Sequence, residues 1–389
     1  MLKKLRYLYS SIRNLGSYTT AINDNFLDYC IRHHKVIGWY NGLPVHSAFL
    51  APGFSKPLAN TMARRLISNM IQEPLPGVVN FGVTDICNAK CEHCSFYGNT
   101  MHKPELDIVS KNEMKKILKD CQDFGISVIN FVGGEPLLND NLPDLISSLD
   151  KNKTVSSVYT NGWFLKEKAK ELKDAGIMIV IVSLDSVVPS KHDKFRRLPG
   201  LFERAIEGIK ECQKLGLLTA ISTTVTQEDL QNRNFEKMIQ LSKKLKVNEL
   251  IVFDTMPIGM YSHRVDLSND KIDFQRLFQI VDKYNKDESF PGIFCYAHFR
   301  SQMAFGCSAG RNYFYITPYG EMCPCDFTAQ PIGNILKEPL PNLWRKLSQD
   351  RKNVSGNYMN ECCSQDTPKI KIENSEKLIN IKTDKKNIK

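Results

Sequence analysis

Ile177-Met178-Ile179-Val180-Ile181-Val182-Ser183-Leu184-Asp185 is apolar at six successive positions and then turns polar at Ser183 and Asp185. A strand with one wet face alternates; a strand apolar at every position is covered on both faces, as in a parallel sheet. Runs of the same kind recur on either side, at residues 79–84, 128–132, 155–160, 217–225 and 249–253, with the quoted run counted as 177–184. Amphipathic segments separate them. Ser110 and Glu113 predict a capping box ahead of the stripe Met114, Ile117, Leu118, Cys121 and Phe124. Phe202, Ala205, Ile206, Ile209, Cys212 and Leu215 form a second stripe, ended by Gly216, and Phe235, Met238, Ile239 and Leu245 a third. Strand and helix alternating in this way predict right-handed βαβ crossovers and an α/β fold. A doubly wound sheet and an open or closed barrel fit this periodicity equally.

In either fold the loops after the strands form the working face. Four polar clusters fall there: DICNAKCEHC (85–94), GGEP (133–136), TNG (160–162) and SLD (183–185). The first holds Cys87, Cys91 and Cys94 at C-x3-C-x2-C spacing. With His93 they offer four zinc ligands, but the adjacency of His93 and Cys94 makes one tetrahedral ion awkward. Three thiolates suit a 4Fe–4S cubane better, with one iron left open for a ligand.

The chain has 389 residues, 42% hydrophobic and 24% charged, which describes a globular protein with ample core. There is no run of eighteen apolar residues, and the basic N-terminus lacks the features of a signal peptide. A cytoplasmic location is therefore expected, where clustered cysteines serve as metal ligands or catalytic groups rather than disulfides. The net charge of +10 gathers at the ends: residues 1–16 carry Lys3, Lys4, Arg6 and Arg13, and residues 369–389 carry seven lysines against three acids. Basic ends on a near-neutral body argue against nucleic-acid binding.

The C-x3-C-x2-C motif after the first strand, GGEP after the second and SLD after the fourth together resemble the radical S-adenosylmethionine (radical SAM) superfamily. HDKFRRLPGLFERAIEGIK (192–210) is similar to the segment that follows SLD in its peptide-modifying SPASM branch. The resemblance implies a partial (β/α)6 TIM-like barrel with an N-terminal helical extension and a small cysteine-rich SPASM/twitch-like extension. It implies that Cys87, Cys91 and Cys94 hold a 4Fe–4S cluster whose open iron binds SAM. Glu135 would accept from the SAM amino group, with Gly133 and Gly134 letting backbone approach the ligand. Ser183 and Asp185 would hold the ribose, Asn161 would lie nearby, and Arg196 would contact the SAM carboxylate. Residues 219–225 lack the glycine pattern found beside adenine in many relatives, which leaves the adenine contacts open.

Farther on, Cys307, Gly320 and Cys325 are spaced C-x12-G-x4-C, which resembles the start of a SPASM extension. One auxiliary 4Fe–4S cluster is expected, on Cys307, Cys325 and one of Cys362 or Cys363, with Cys323 or Cys295 as the fourth ligand. A hairpin turning at Tyr319-Gly320, between 313–317 and 321–324, would bring Cys307 and Cys325 together. Cys121 and Cys212 are expected in the core, and His33-His34 on the surface.

The expected division is 1–78 as the N-terminal extension, 79–290 as the radical SAM core, 291–366 as the auxiliary domain and 367–389 as a basic tail. The N-terminal stripe Leu2, Leu5, Leu8, Tyr9, Ile12 and Leu15 would either dock on the barrel or rest on anionic lipid, a peripheral membrane contact. The expected partners are a flavodoxin- or ferredoxin-type electron donor and a peptide substrate. A lipid-like envelope precursor is the alternative substrate, and a zinc-bearing protein without catalysis the rival class.

Overall fold

The structure is a computed structural model, and it describes residues 35–97, 103, 105–256, 258–261, 272–301, 304, 306–327 and 330–354. The N-terminal stripe, His33-His34, Cys362, Cys363 and the basic tail lie outside these residues.

Strands β1 (Gly38–Tyr40) and β2 (Leu43–Val45) pair as an antiparallel hairpin. The other strands are β3 (Val78–Gly82), β4 (Val128–Val132), β5 (Val155–Thr160), β6 (Ile179–Ser183), β7 (Leu218–Val225), β8 (Glu249–Asp254), β9 (Gly292–Cys295), β10 (Tyr313–Ile316), β11 (Glu321–Cys323) and β12 (Gly333–Asn334). They form one sheet in the order β12-β11-β10-β3-β4-β5-β6-β7-β8-β9. The six runs expected from sequence are β3 to β8, in chain order, each parallel to the next. The order does not close on itself, so the barrel is partial.

Two cores explain why β6 is apolar throughout. Val180 and Val182 face outward, in one buried cluster with Ala205 and Ile209 of the helix Leu201–Lys214. Ile179 and Ile181 face inward and pack with Ala220, Ile251, Val45, Ala48 and Leu50. The N-terminal segment thus fills the inside of the barrel. Ala48 N–H donates to Glu249 Oε2 at 2.8 Å from within that core. Of the expected N-terminal helical extension, the described part is the β1–β2 hairpin followed by the helix Lys56–Ile71. The hairpin turns on Asn41 and Gly42, at φ 50° and 75°, the left-handed pair that a two-residue turn needs.

The capping box at Ser110 and Glu113 is formed, and Cys121 and Cys212 are fully buried in the outer core. β10 and β11 pair antiparallel with Gly320 between them at φ 77°. On its other side β10 lies parallel to β3, so the C-terminal segment continues the barrel sheet. Among the described residues no helix is long and apolar enough to cross a membrane.

Candidate active site

Strand ends set the site. A cavity of about 260 Å³ opens at the C-terminal ends of β3 to β8, and all ten residues expected at the SAM site line it: Cys87, Cys91, Cys94, Gly133, Gly134, Glu135, Asn161, Ser183, Asp185 and Arg196. Four loops that are distant in sequence therefore share one chamber.

The cysteine loop is held from four sides. Gly134 N–H donates to Thr84 O and Glu135 N–H to Ile86 O, each at 2.8 Å, zipping the GGEP loop onto its start. The glycines are needed by the loops themselves. A Cβ on Gly133 would lie 2.4 Å from Thr84 O, and one on Gly134 2.2 Å from Ile86 O. What the missing side chains admit is the neighbouring loop's backbone. On the second side Lys90 and Glu92 N–H groups donate to the carbonyls of Arg196 and Phe195. On the third, Met260 N–H donates to Cys94 O at 3.0 Å. Tyr319, from the β10–β11 turn, donates to Asp85 Oδ2 at 2.9 Å.

Glu135 is buried. Its Oε1 accepts from Thr160 Oγ1 at 2.6 Å and from Leu137 N–H at 3.1 Å, and its Oε2 accepts from Asn161 N–H at 2.7 Å. Burial pushes its pKa up, against the pull of these donors. An ionised carboxylate offers about four acceptor sites, so one is left for a ligand's ammonium. Asn161 spends its side chain on the loops, donating to Asn88 Oδ1 at 2.8 Å and accepting from Trp163 N–H at 2.9 Å.

Asp185 and Arg196 form a buried pair, with Arg196 Nε and Nη2 at 2.7 and 2.6 Å from Asp185 Oδ2. Burial alone would raise the Asp185 pKa, but the guanidinium outweighs it and holds the carboxyl below its ordinary value. Arg196 Nη1 also lies 3.8 Å from the Cys91 sulfur, a cation beside a thiol that must become a thiolate to bind metal. His93 stacks on Phe195 with centroids 4.6 Å apart, and burial lowers its pKa to about 4.

Burial raises all three thiol pKa values, that of Cys87 to about 12, so these groups ionise when metal replaces their protons. The three cysteines ring the cavity, yet among the described residues no three His, Cys, Asp or Glu side chains converge on one ion. Three thiols facing one space are the donor set that a 4Fe–4S cluster with one open iron needs. Asn88 Nδ2 and His93 Nδ1, both in this loop, are buried without a protein partner, and a bound cluster and its ligand would bring acceptors there.

Cys307, Ala309 and Cys325 form a separate buried cluster with Tyr313 and Phe327 against it. Cys323 points elsewhere, packing with Phe96 and Tyr315 near Cys94, and Cys295 belongs to the outer core. In apolar packing, both lie in clusters other than that of Cys307 and Cys325.

A polar ladder inside the barrel escapes sequence reasoning. Ser157 Oγ donates to Asn130 Oδ1, Asn130 Nδ2 to Asn80 Oδ1, and Asn80 Nδ2 to Asp326 Oδ2, at 2.6, 2.8 and 3.3 Å. Asp326 Oδ1 also accepts from Tyr313 at 2.7 Å. The available signal is the Asn-Phe pair at the centre of both β3 and β4, a polar residue inside an apolar strand.

Residues 82–242 match the radical SAM superfamily, and residues 307–365 match an iron–sulfur cluster-binding domain, SPASM. The chain is 24% identical over 313 residues to an AdoMet-dependent heme synthase of Nitratidesulfovibrio vulgaris, covering 74% of this chain and 84% of that protein. It is 32% identical over 199 residues to a GTP 3',8-cyclase of Thermodesulfovibrio yellowstonii, covering 50% and 61%. Its fold is similar to Streptococcus suis SuiB bound to precursor peptide SuiA, with TM-score 0.60, 16% identity and coverage of 82% and 73%. It is also similar to anSMEcpe with bound AdoMet, with TM-score 0.53, 18% identity and coverage of 75% and 93%. The loops, the strand order and both domain matches agree: this chain belongs to the radical SAM superfamily, in its SPASM/twitch branch.

Proposed function

We propose that this radical SAM enzyme modifies a peptide, with Cys87, Cys91 and Cys94 as ligands of the SAM-binding 4Fe–4S cluster. The observation that carries the cluster and SAM site is the meeting of all ten expected residues around one cavity. When bound, the cluster and SAM supply a 5′-deoxyadenosyl radical that takes a hydrogen atom from the substrate.

The chain's own groups bind, orient and exclude. Glu135, fixed by Thr160, Asn161 and Leu137, presents its remaining lone pair to the SAM ammonium. Ser183 faces the same cavity and serves the ribose. Asp185 is largely committed to Arg196; it orients that guanidinium toward Cys91 and the ligand side. The apolar inner core below, with Ile179, Ile181 and Ala48 buried, keeps water from the reacting centre. Cys307 and Cys325 would contribute two ligands of the auxiliary cluster, completed by Cys362 or Cys363.

Support for a peptide comes from the segment 192–210, which resembles the peptide-modifying branch. The fold shared with SuiB and with anSMEcpe, the latter solved with a Cp18Cys peptide, is in keeping with it. The test is anaerobic reconstitution with iron, sulfide, SAM and dithionite, with candidate peptides carrying perdeuterated residues. Deuterium in the 5′-deoxyadenosine is the expected result. Cleavage of SAM with no label from any peptide, but label from a deuterated lipid or tetrapyrrole, would refute the peptide assignment.

A further inference from the structure

A second cavity of about 100 Å³ adjoins the first. The two share Val132, Tyr159, Phe253, Asp326 and Phe327 as walls, so the smaller chamber opens beside the reacting centre. Its remaining wall is largely aromatic, with Val78, Asn80, Ser308 and Asn312 between the rings. Phe49 and Phe294 have centroids 4.6 Å apart, Phe294 and Phe299 5.4 Å, Phe253 and Tyr296 5.1 Å, and Tyr296 and Phe327 5.8 Å.

These rings surround a space they do not fill. Phe49 keeps partial exposure although Ala48 and Leu50 beside it are buried, and Phe253 does so at the end of the otherwise buried run Leu250–Val252. Close-packed interiors leave few voids of this size. An apolar cavity of about 150 Å³ stays dry and takes up benzene. One of about 100 Å³ therefore suits a group smaller than a benzene ring, such as a valine or leucine side chain. It is too small for a tetrapyrrole.

We infer that this aromatic chamber is the substrate's specificity pocket: it receives one apolar side chain of valine or leucine size from the peptide, and Phe49, brought in by the N-terminal segment, sets its depth. The inference rests on the peptide reading above and gives it a side-chain class. Asp326, tied to Tyr313 and Asn80, stands in the wall common to the two cavities.

The test is equilibrium dialysis under argon of the reconstituted full chain against N-acetyl-valinamide, N-acetyl-leucinamide and N-acetyl-glycinamide. The two apolar amides are expected to bind at least about 10-fold tighter than the glycine amide, the scale on which an apolar pocket discriminates. Phe49→Trp, which fills the chamber, is expected to remove that preference, and Phe49→Ala to extend it to N-acetyl-phenylalaninamide. Phe299→Trp fills the same space from another element and serves if a Phe49 variant does not fold. Equal binding of the three amides overturns the inference, as does a preference that both filling variants leave unchanged. Dialysis needs no SAM cleavage. An enzyme that forms 5′-deoxyadenosine but shows no amide preference refutes the chamber alone.

Discussion

Asp185 and Arg196 show how one pair governs the site's charge. Arg196 is nearly enclosed, and the carboxylate supplies two of its hydrogen bonds. Asp185→Asn leaves a buried guanidinium uncompensated, which costs about 3–5 kcal/mol. The expected outcome is a lower urea midpoint together with poorer cluster retention, because Arg196 also faces Cys91. Glu249 behaves differently. Burial raises its pKa from 4.5 to about 7, opposed by the hydrogen bonds from Ala48 and Ser47. A carboxyl with a raised folded pKa stabilises fully below its unfolded pKa, and that contribution disappears as pH rises through the folded value. The chain should therefore lose on the order of 3 kcal/mol from this residue between pH 4.5 and pH 8. Glu249→Gln should flatten that slope, read by urea unfolding at pH 5 and pH 8. An unchanged slope would mean that Glu249 is charged inside the barrel.

At the scale of elements, the loops act as a joined set. A Cβ at Gly134 would press on Ile86 O and on Ile86 C at 2.5 Å, both backbone atoms that cannot swing away. Gly134→Ala is expected to destabilise by on the order of 3 kcal/mol and to lower iron incorporation without altering the thiols. Normal iron content in this variant would show that the zipper between the loops is dispensable. The six parallel strands were legible because short β-branched runs such as that of β6, bounded by polar loops and alternating with amphipathic helices, read as doubly covered strands, and the bounds of β4 and β5 coincide with those expected. The β1–β2 hairpin carries a two-residue turn signal in Asn41-Gly42, but its three-residue strands are too short to show an alternating pattern. The glycine contacts and the Asn80–Asn130–Ser157 ladder were not legible. Both depend on which loops and strands become neighbours, and spacing within a motif carries no such information.

For the whole molecule, the N-terminal segment fills the barrel from inside and the C-terminal strands extend its sheet, so both ends of the described chain shape the cavity. Tyr319 couples the far hairpin to Asp85 of the cysteine loop. Tyr319→Phe should cost about 1 kcal/mol and speed loss of the cluster on dilution, followed by absorbance. Iron counting separates the clusters: about eight irons per chain are expected, falling to about four when Cys307 and Cys325 are both replaced. The central claim is that Cys87, Cys91 and Cys94 hold a cluster by three corners and leave one iron for SAM. Electron paramagnetic resonance of the anaerobically reconstituted, dithionite-reduced double variant Cys307→Ala/Cys325→Ala, recorded with and without SAM, tests it most directly. A cluster signal that changes shape when SAM is added, and that disappears when Cys87 is also replaced by alanine, is the predicted result. Bound zinc in place of iron, or a cluster signal indifferent to SAM, would contradict the account.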